Sequence, residues 1–336
     1  MNFSKQVLSI DPAAETDRIV AELRRQVLRQ MRRRGGVVGI SGGVDSSVVL
    51  GLCVRAFGPE RVVPLMMPDR DSDPDSEALA RLVARRFGVE PVREDITPAL
   101  EGFGCYARRD EAIRRLFPEY DPRRGYRAKL VLPGSLLDDN RLNVFSLAVV
   151  CPDGQVKTKR LPRQEYLQIV AASNFKQRCR MATLYYHAES RHFAVIGTAN
   201  KNEHGQGFFV KYGDGGVDIQ PIAHLFKTQV YQMAEYLDVP ETIRRRPPTT
   251  DTYSAAQTQE EFFFRLPFEL MDLLWYAQEN QLPAADVARA LNLSPAQVER
   301  AYQEFSRKRQ TTDYLRQPPV FLAPDSLPQP RHPNAG

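Results

Sequence analysis

Apolar positions in the first hundred residues alternate between helical and extended spacing. Over 11–34, Ile19, Leu23, Val27 and Met31 share one helical stripe with Val20 and Leu28 beside it, which predicts an amphipathic helix. The run Val37-Val38-Gly39-Ile40 predicts a buried strand, and Val48-Val49-Leu50-Gly51-Leu52 an apolar helix after it. Further strands are predicted over 61–68 and 89–96, with an amphipathic helix over 76–87. Strands and helices alternating at this spacing imply right-handed βαβ units and a parallel sheet that takes its ligands at the carboxyl ends of the strands.

From about 103 to 163 the pattern breaks. Gly104-Cys105-Tyr106 and Phe117-Pro118-Glu119-Tyr120-Asp121-Pro122 read as turn-rich, while 143–150 and 155–158 flank Pro152-Asp153-Gly154 like a β-hairpin. An insertion of this length is more often functional than idle. Helical spacing resumes over 164–187, and a fourth strand over 193–198 ends in the polar tip Ala199-Asn200-Lys201-Asn202-Glu203. Lys211-Tyr212-Gly213-Asp214-Gly215-Gly216 is a second polar turn, and Phe226-Lys227-Thr228 opens a helix over 229–237. Helices follow at 260–280, 284–291 and 295–305. The expected organisation is one α/β catalytic domain over 1–317 with a helical part from about 255, then a proline-rich tail over 318–336. The 287–295 segment resembles a helix-turn-helix, but its second helix carries Gln297, Glu299 and Glu304 against one arginine, Arg300, so a plain helical hairpin is expected.

The stretch Ser41-Gly42-Gly43-Val44-Asp45-Ser46-Ser47 between the first strand and its helix carries the chemistry. Two glycines admit an anion close to backbone N–H groups, and Ser41, Ser46 and Ser47 add hydroxyls where the helix dipole favours negative charge. Asp45 would repel bare phosphate, so its presence implies a divalent cation between the two. No Gly-Lys-Ser/Thr follows, so this is not a Walker loop; it resembles the loop of enzymes that cleave ATP between its α and β phosphates.

Composition narrows the classes. No 18-residue apolar span occurs and the first ten residues lack a signal-peptide core, so a cytoplasmic chain without a membrane span is expected. The four cysteines are widely spaced, with no Cys-x-x-Cys pair. Net charge is +5, but acidic residues are mixed throughout, which argues against nucleic acid. Lys176, Lys201, Lys211 and Lys227 cluster in an arginine-dominated chain, as compact phosphate ligands would, or equally as chance lysines on a solvated surface.

Five ordered motifs make the chain resemble the NAD synthetase family: the loop, Asn174-Phe175-Lys176-Gln177-Arg178-Cys179-Arg180-Met181, the segment from Ile196 to Glu203, the segment from Phe208 to Asp218, and Pro247-Pro248-Thr249-Thr250-Asp251. The resemblance implies an adenine nucleotide α-hydrolase-like fold, doubly wound, and amidation of nicotinate adenine dinucleotide through an acyl adenylate, with ATP and Mg²⁺. It places Asp45 and Glu203 on magnesium. ATP would be held by Gly39, Ser41, Gly42, Gly43, Ser46, Ser47, Arg178, Thr198 and Lys227. Asn174, Lys211, Asp214 and Asp218 would meet the acceptor, and Asp45, Lys227 and Asp214 would be the catalytic groups, with Asp214 taking a proton from ammonium. A homodimer is implied, with ammonia from solution or from a separate glutaminase, since no nitrilase-like domain precedes residue 1.

The chain departs from the family at the 103–163 insertion, at the polar His204-Gly205-Gln206-Gly207, at Phe226 in place of a threonine, and at Arg307-Lys308-Arg309 in place of His-Lys-Arg. A ligase for another carboxylate is the principal alternative. A tRNA-adenylating enzyme lacks its cysteine pair here, and a non-catalytic scaffold would have no need of both Asp45 and Glu203.

Overall fold

The computed structural model describes residues 3–132, 134, 136, 137, 145–249, 253–255, 257–320 and 322. Along the chain run α1 (Pro12–Leu23), β1 (Gly36–Gly39), α2 (Val44–Phe57), β2 (Val62–Met66), α3 (Pro74–Arg86), β3 (Val92–Arg93), α4 (Thr97–Gly102) and α5 (Cys105–Leu116). Next come β4 (Arg127–Val131), β5 (Ser146–Val150), β6 (Val156–Arg160), α6 (Arg163–Glu189), β7 (Ala194–Ile196) and α7 (Lys201–Gln206). The last third holds α8 (Lys227–Tyr236), α9 (Glu241–Arg244), α10 (Phe268–Glu279), α11 (Ala284–Leu291), α12 (Pro295–Thr311) and α13 (Asp313–Arg316).

The main sheet is parallel, in the order β3-β2-β1-β7. Because β1 is flanked by β2 on one side and β7 on the other, the connections diverge there and a crevice opens at the carboxyl ends of β1 and β7. Residues alternate across the sheet. Val38, Met66 and Ile196 join Val48, Leu52, Val230 and Met233 of α2 and α8 in one core. Val37, Leu65 and Val195 face Leu184 and Ala188 of α6 on the other side. Both faces are covered, which is why these strands read as continuous apolar runs.

Several elements differ from their sequence-based boundaries. The strand predicted over 89–96 shortens to Val92–Arg93, paired with Leu65 and Met66. Met66 accepts from the Glu94 N–H at 2.9 Å, so Pro64, two residues back on the same edge, has no N–H to extend the ladder. The 104–106 turn is only Gly104, at φ 67; Cys105 and Tyr106 begin helix α5. The buried face of α5 includes Arg109 and Asp110, and these charges hid its period. The expected hairpin across 152–154 is β5–β6, and β4 adds an unforeseen third antiparallel strand. Asn143 and Val144 lie outside the described residues, as do Thr250, Asp251 and nearly all of the tail. This small sheet packs Ala128, Leu130, Leu147 and Val149 against Ile113, Phe117 and Ile169 of the α5 and α6 region.

The helix predicted over 260–280 is interrupted. Glu260–Phe264 is a wide π-type turn, Arg265 takes φ 60, and α10 starts only after Pro267. Helices α11 and α12 bury Val287, Ala288, Val298 and Phe305 against Leu274 and Trp275 of α10, so the hairpin's apolar face is spent on packing, and α12 runs on to Thr311.

A buried charge cluster joins α5 to the end of β2. Lys176 Nζ donates to Asp69 at 3.0 Å and to Asp71 at 2.8 Å, Arg180 donates to Asp69 at 2.8 Å, and Arg109 bonds both Asp71 and Asp110. Burial opposes ionisation of Asp71, but Lys176 and Arg109 outweigh it and hold its carboxyl down at about 2. Removing one partner strands the other charges. Arg109→Met is expected to lower the unfolding free energy by about 3–5 kcal/mol in urea titration, and a loss below about 1 kcal/mol would show the cluster to be dispensable.

Candidate active site

Helix α2 begins without a side-chain cap. Gly43 is its N-cap residue, so the N–H groups of the first turn are left pointing at the crevice. Gly42 makes that approach possible at φ 75: a Cβ there would lie 2.7 Å from the Ser76 carbonyl oxygen and 2.8 Å from Leu79 Cβ. Ser41 Oγ accepts from the Gly43 N–H at 3.3 Å, and Ser46 Oγ lies 3.4 Å from Ser41 Oγ. The result is a concave run of small donors at the end of β1.

Three further side chains converge on this loop. Lys227, the first residue of α8, is fully buried and its Nζ donates to Asp45 Oδ2. Asn200 donates from Nδ2 to Asp45 Oδ1 at 2.9 Å. Asn200 also caps α7 in a reciprocal box with Glu203, whose Oε2 accepts from the Asn200 N–H at 3.2 Å while its Oε1 accepts from Gln259 at 3.0 Å. Burial, then the nearby Asp45 carboxylate, push the Glu203 carboxyl up to about 8. For Lys227 burial alone would favour the neutral amine, but Asp45 and Glu203 outweigh it and raise its pKa. Asp45 thus balances the Lys227 ammonium, and Glu203 beside them is held back from ionising unless further positive charge arrives.

These groups line a cleft of about 560 Å³. Of the residues expected from sequence, Gly39, Ser41, Gly43, Asp45, Ser46, Asn174, Thr198, Glu203, Asp214 and Lys227 are on its wall. Gly42 and Ser47 lie behind it, with the Ser47 hydroxyl donating to the Gly43 carbonyl at 2.8 Å. Arg178, Lys211 and Asp218 do not line it. Arg178 is exposed on α6, and Arg180 takes the wall position instead, because two helical steps turn a side chain to the opposite face. Lys211 Nζ donates to the Tyr314 and Gln317 carbonyls at 2.8 Å each. Asp218 accepts from Tyr185 at 3.0 Å and from the Val195 N–H at 2.8 Å. Of the other clustered lysines, Lys176 belongs to the buried charge cluster and Lys201 pairs with Glu279 at 2.6 Å.

Sequence reading missed Asn200 and Gln259 as supports. The Asn-x-x-Glu spacing of a capping box marked the first; nothing local marked Gln259. The site suits a hard divalent cation, since Asp45 and Glu203 offer carboxylate oxygens that repel one another without one. Among the described residues no group of three or more His, Cys, Asp or Glu could hold a metal alone, so phosphate and water oxygens would complete the coordination.

A pH dependence follows from Glu203. Its folded pKa lies above the ordinary carboxylate value, so the metal-free fold is favoured at low pH and loses that contribution as pH rises through about 8. A cation needs the ionised form, so nucleotide-dependent Mg²⁺ affinity is expected to rise between pH 6 and pH 8, in about the measure of a one-proton release. Calorimetry in buffers of different ionisation heat checks this. Glu203→Gln should abolish the proton release, and an unchanged release would remove Glu203 from the site.

The NAD synthase family model matches residues 15–116 and 152–319, leaving 117–151 between the two stretches. The NH(3)-dependent NAD(+) synthetase of Rhizobium meliloti is 53% identical over 322 residues, covering 96% of this chain and 95% of the relative. That of Thermotoga maritima is 40% identical over 260 residues, covering 76% of this chain and 85% of the relative. Among solved structures, an NMN synthetase from Francisella tularensis superposes with TM-score 0.62 at 21% identity, covering 94% of this chain and 100% of that one. An NH3-dependent NAD synthetase from Campylobacter jejuni superposes with TM-score 0.60 at 20% identity over the same shares, and at these identities the likeness speaks for the fold. With some four-fifths of its residues matched by the family model, and with its charged cleft at the point where the sheet's connections diverge, the chain belongs to the NAD synthase family.

Proposed function

We propose that the chain makes NAD by ATP-dependent amidation of nicotinate adenine dinucleotide, with ammonia as the nitrogen donor. The observation that carries this reading is the meeting of Asp45, Glu203 and Lys227 beside the uncapped start of α2. Gly39, Ser41, Gly42, Gly43, Ser46 and Ser47 form the pyrophosphate cradle, with Thr198 and Lys227 on the other phosphates. Asp45 and Glu203 would hold magnesium, which would supply positive charge against the departing pyrophosphate.

A carboxylate oxygen of the acceptor bonds to the α-phosphorus of ATP, and the α–β phosphoanhydride bond breaks to release pyrophosphate. Lys227 holds charge at that end of the reaction, already fixed in place by Asp45. Ammonium gives one proton to Asp214, whose Oδ1 also accepts from the Val210 N–H at 2.7 Å. The nitrogen lone pair then forms the C–N bond, the C–O bond to AMP breaks, and the amide nitrogen sheds a second proton to solvent. Asn174 and Asp214, both on the cleft wall, orient the acceptor. The protein's share of the catalysis is placement and fixed charge.

Acceptor carrying ¹⁸O in its carboxylate should yield NAD, and AMP bearing one labelled oxygen. Asp45→Asn should lower kcat at least about 100-fold. ADP as product, or label left wholly in the dinucleotide, would sink the acyl-adenylate route; turnover only with some other acid would favour the alternative ligase. The reading extends to a cytoplasmic homodimer, expected to sediment as twice the chain mass at micromolar concentration; a monomer retaining full activity would remove it.

A further inference from the structure

Phe226, where the family resemblance leads one to expect a threonine, leaves α8 without a local cap. A phenylalanine at this N-cap position has no oxygen to offer the first-turn N–H groups, and its ring is spent on Trp275, 5.8 Å away. Those N–H groups are satisfied from outside the helix. The Lys227 N–H donates to Asn202 Oδ1 at 3.1 Å, and the Thr228 N–H and Oγ donate to Asp272 Oδ2 at 2.9 and 2.8 Å. The other oxygen of Asp272 accepts from Asn202 Nδ2. Asp272 is fully buried in α10 and does not line the cleft.

We propose that Asp272 is a positioning residue: a cap supplied from the C-terminal helices that clamps the starts of α7 and α8 together and so fixes Lys227 against Asp45. One carboxylate takes three hydrogen bonds across two helix starts, and the second link, Asn202, passes the constraint to the Lys227 backbone. An anion at the positive end of α8 also suits the helix dipole. The clamp stands where a threonine N-cap would have acted locally, which leaves Phe226 free to pack into the second core. This role rests on the ligase reading above for its kinetic arm and is independent of it for its structural arm.

Asp272→Asn removes the charge and turns an NH₂ group toward donors. Its kcat for AMP release is expected to fall about 10- to 100-fold with KM for ATP changed less than about three-fold, the loss coming from misplaced charge near the transition state. Thr228→Val, which deletes one of the three bonds, should lower kcat about three-fold, and Asn202→Ala should act in the same direction. Leu274→Ala, a buried neighbour on α10, serves as the control: it should lower the melting temperature and leave kcat within about two-fold, because it makes a cavity without touching the clamp. Amide exchange over 226–229 reads the clamp without any turnover, and should quicken in Asp272→Asn and Asn202→Ala but not in Leu274→Ala. Wild-type kcat and unchanged exchange in those two variants would overturn the proposal. Quickened exchange with an inactive wild type would instead leave the clamp standing and fault the assigned reaction. If Asp272→Asn does not fold, Thr228→Val and Asn202→Ala decide the matter by the same two readouts.

Discussion

The ion pair between Lys227 and Asp45 is the constraint on which the site depends. A lysine with no exposed surface must find an anion or lose its proton, and here the anion sits in the first turn of α2. The pair thereby fixes two helix starts, α2 and α8, against one another at the end of the sheet. Each helix start carries roughly half an elementary charge of positive dipole, and the ammonium adds a full one. Asp45 balances the ammonium, and the dipoles of the two helix starts remain to draw an anion. The pair is therefore better understood as a preset charge arrangement than as a source of stability, since buried pairs seldom exceed the cost of their own desolvation.

The charge cluster at the end of β2 obeys the same logic. Asp69 and Asp71 follow a strand whose carboxyl end borders the cleft, and they are gripped by Lys176 and Arg180 of α6 and by Arg109 of α5. Lys176 and Arg180 also line the cleft, so the wall formed by α6 cannot shift without breaking bonds to the β2 loop. The segment between β3 and α6 adds its own apolar core from β4, β5 and α5, and is anchored to the rest by this cluster and by α6. Hydrophobic packing holds the pieces together; the charges decide their register.

Contiguous patterns were legible in the chain and composite ones were not. The strand, glycine bend and helix start around Ser41 to Ser47 need no distant partner, so local spacing alone revealed them. The four strands of the main sheet and the long α6 were readable for the same reason, save at β3, where Pro64 on a neighbouring strand cut the pairing short. Helix α5 was hidden because its inner face carries Arg109 and Asp110, whose partners on the β2 loop, Asp71 and Arg70, lie about 40 residues back in the chain. The choice between Arg178 and Arg180 depends on the rotation of α6 against the sheet, which spacing cannot supply. Lys211 and Asp218 came from the family resemblance alone, and in the fold they hold carbonyl, tyrosine and backbone partners away from the cleft wall.

The cleft's lining is of two characters, and the difference bears on the chemistry. Beside the charged groups stand Phe145, Phe208, Phe209, Phe262 and Phe263, with the Phe208 N–H donating to the Glu203 carbonyl at 2.8 Å and its ring stacked on Phe263 at 4.7 Å. The His204-Gly205-Gln206-Gly207 stretch leads directly into this wall, with the His204 ring stacked on Phe209 at 5.6 Å, so its polar residues do not make the wall itself polar. An acyl adenylate is open to attack by water as well as by ammonia, and water is always the more abundant nucleophile. An apolar wall lowers the water content of the cleft and, by the same exclusion, strengthens the field of Lys227 and the α2 start. Aromatic residues and a buried ion pair in one cleft thus serve the same end, one by keeping solvent out and the other by supplying the charge that solvent would have screened.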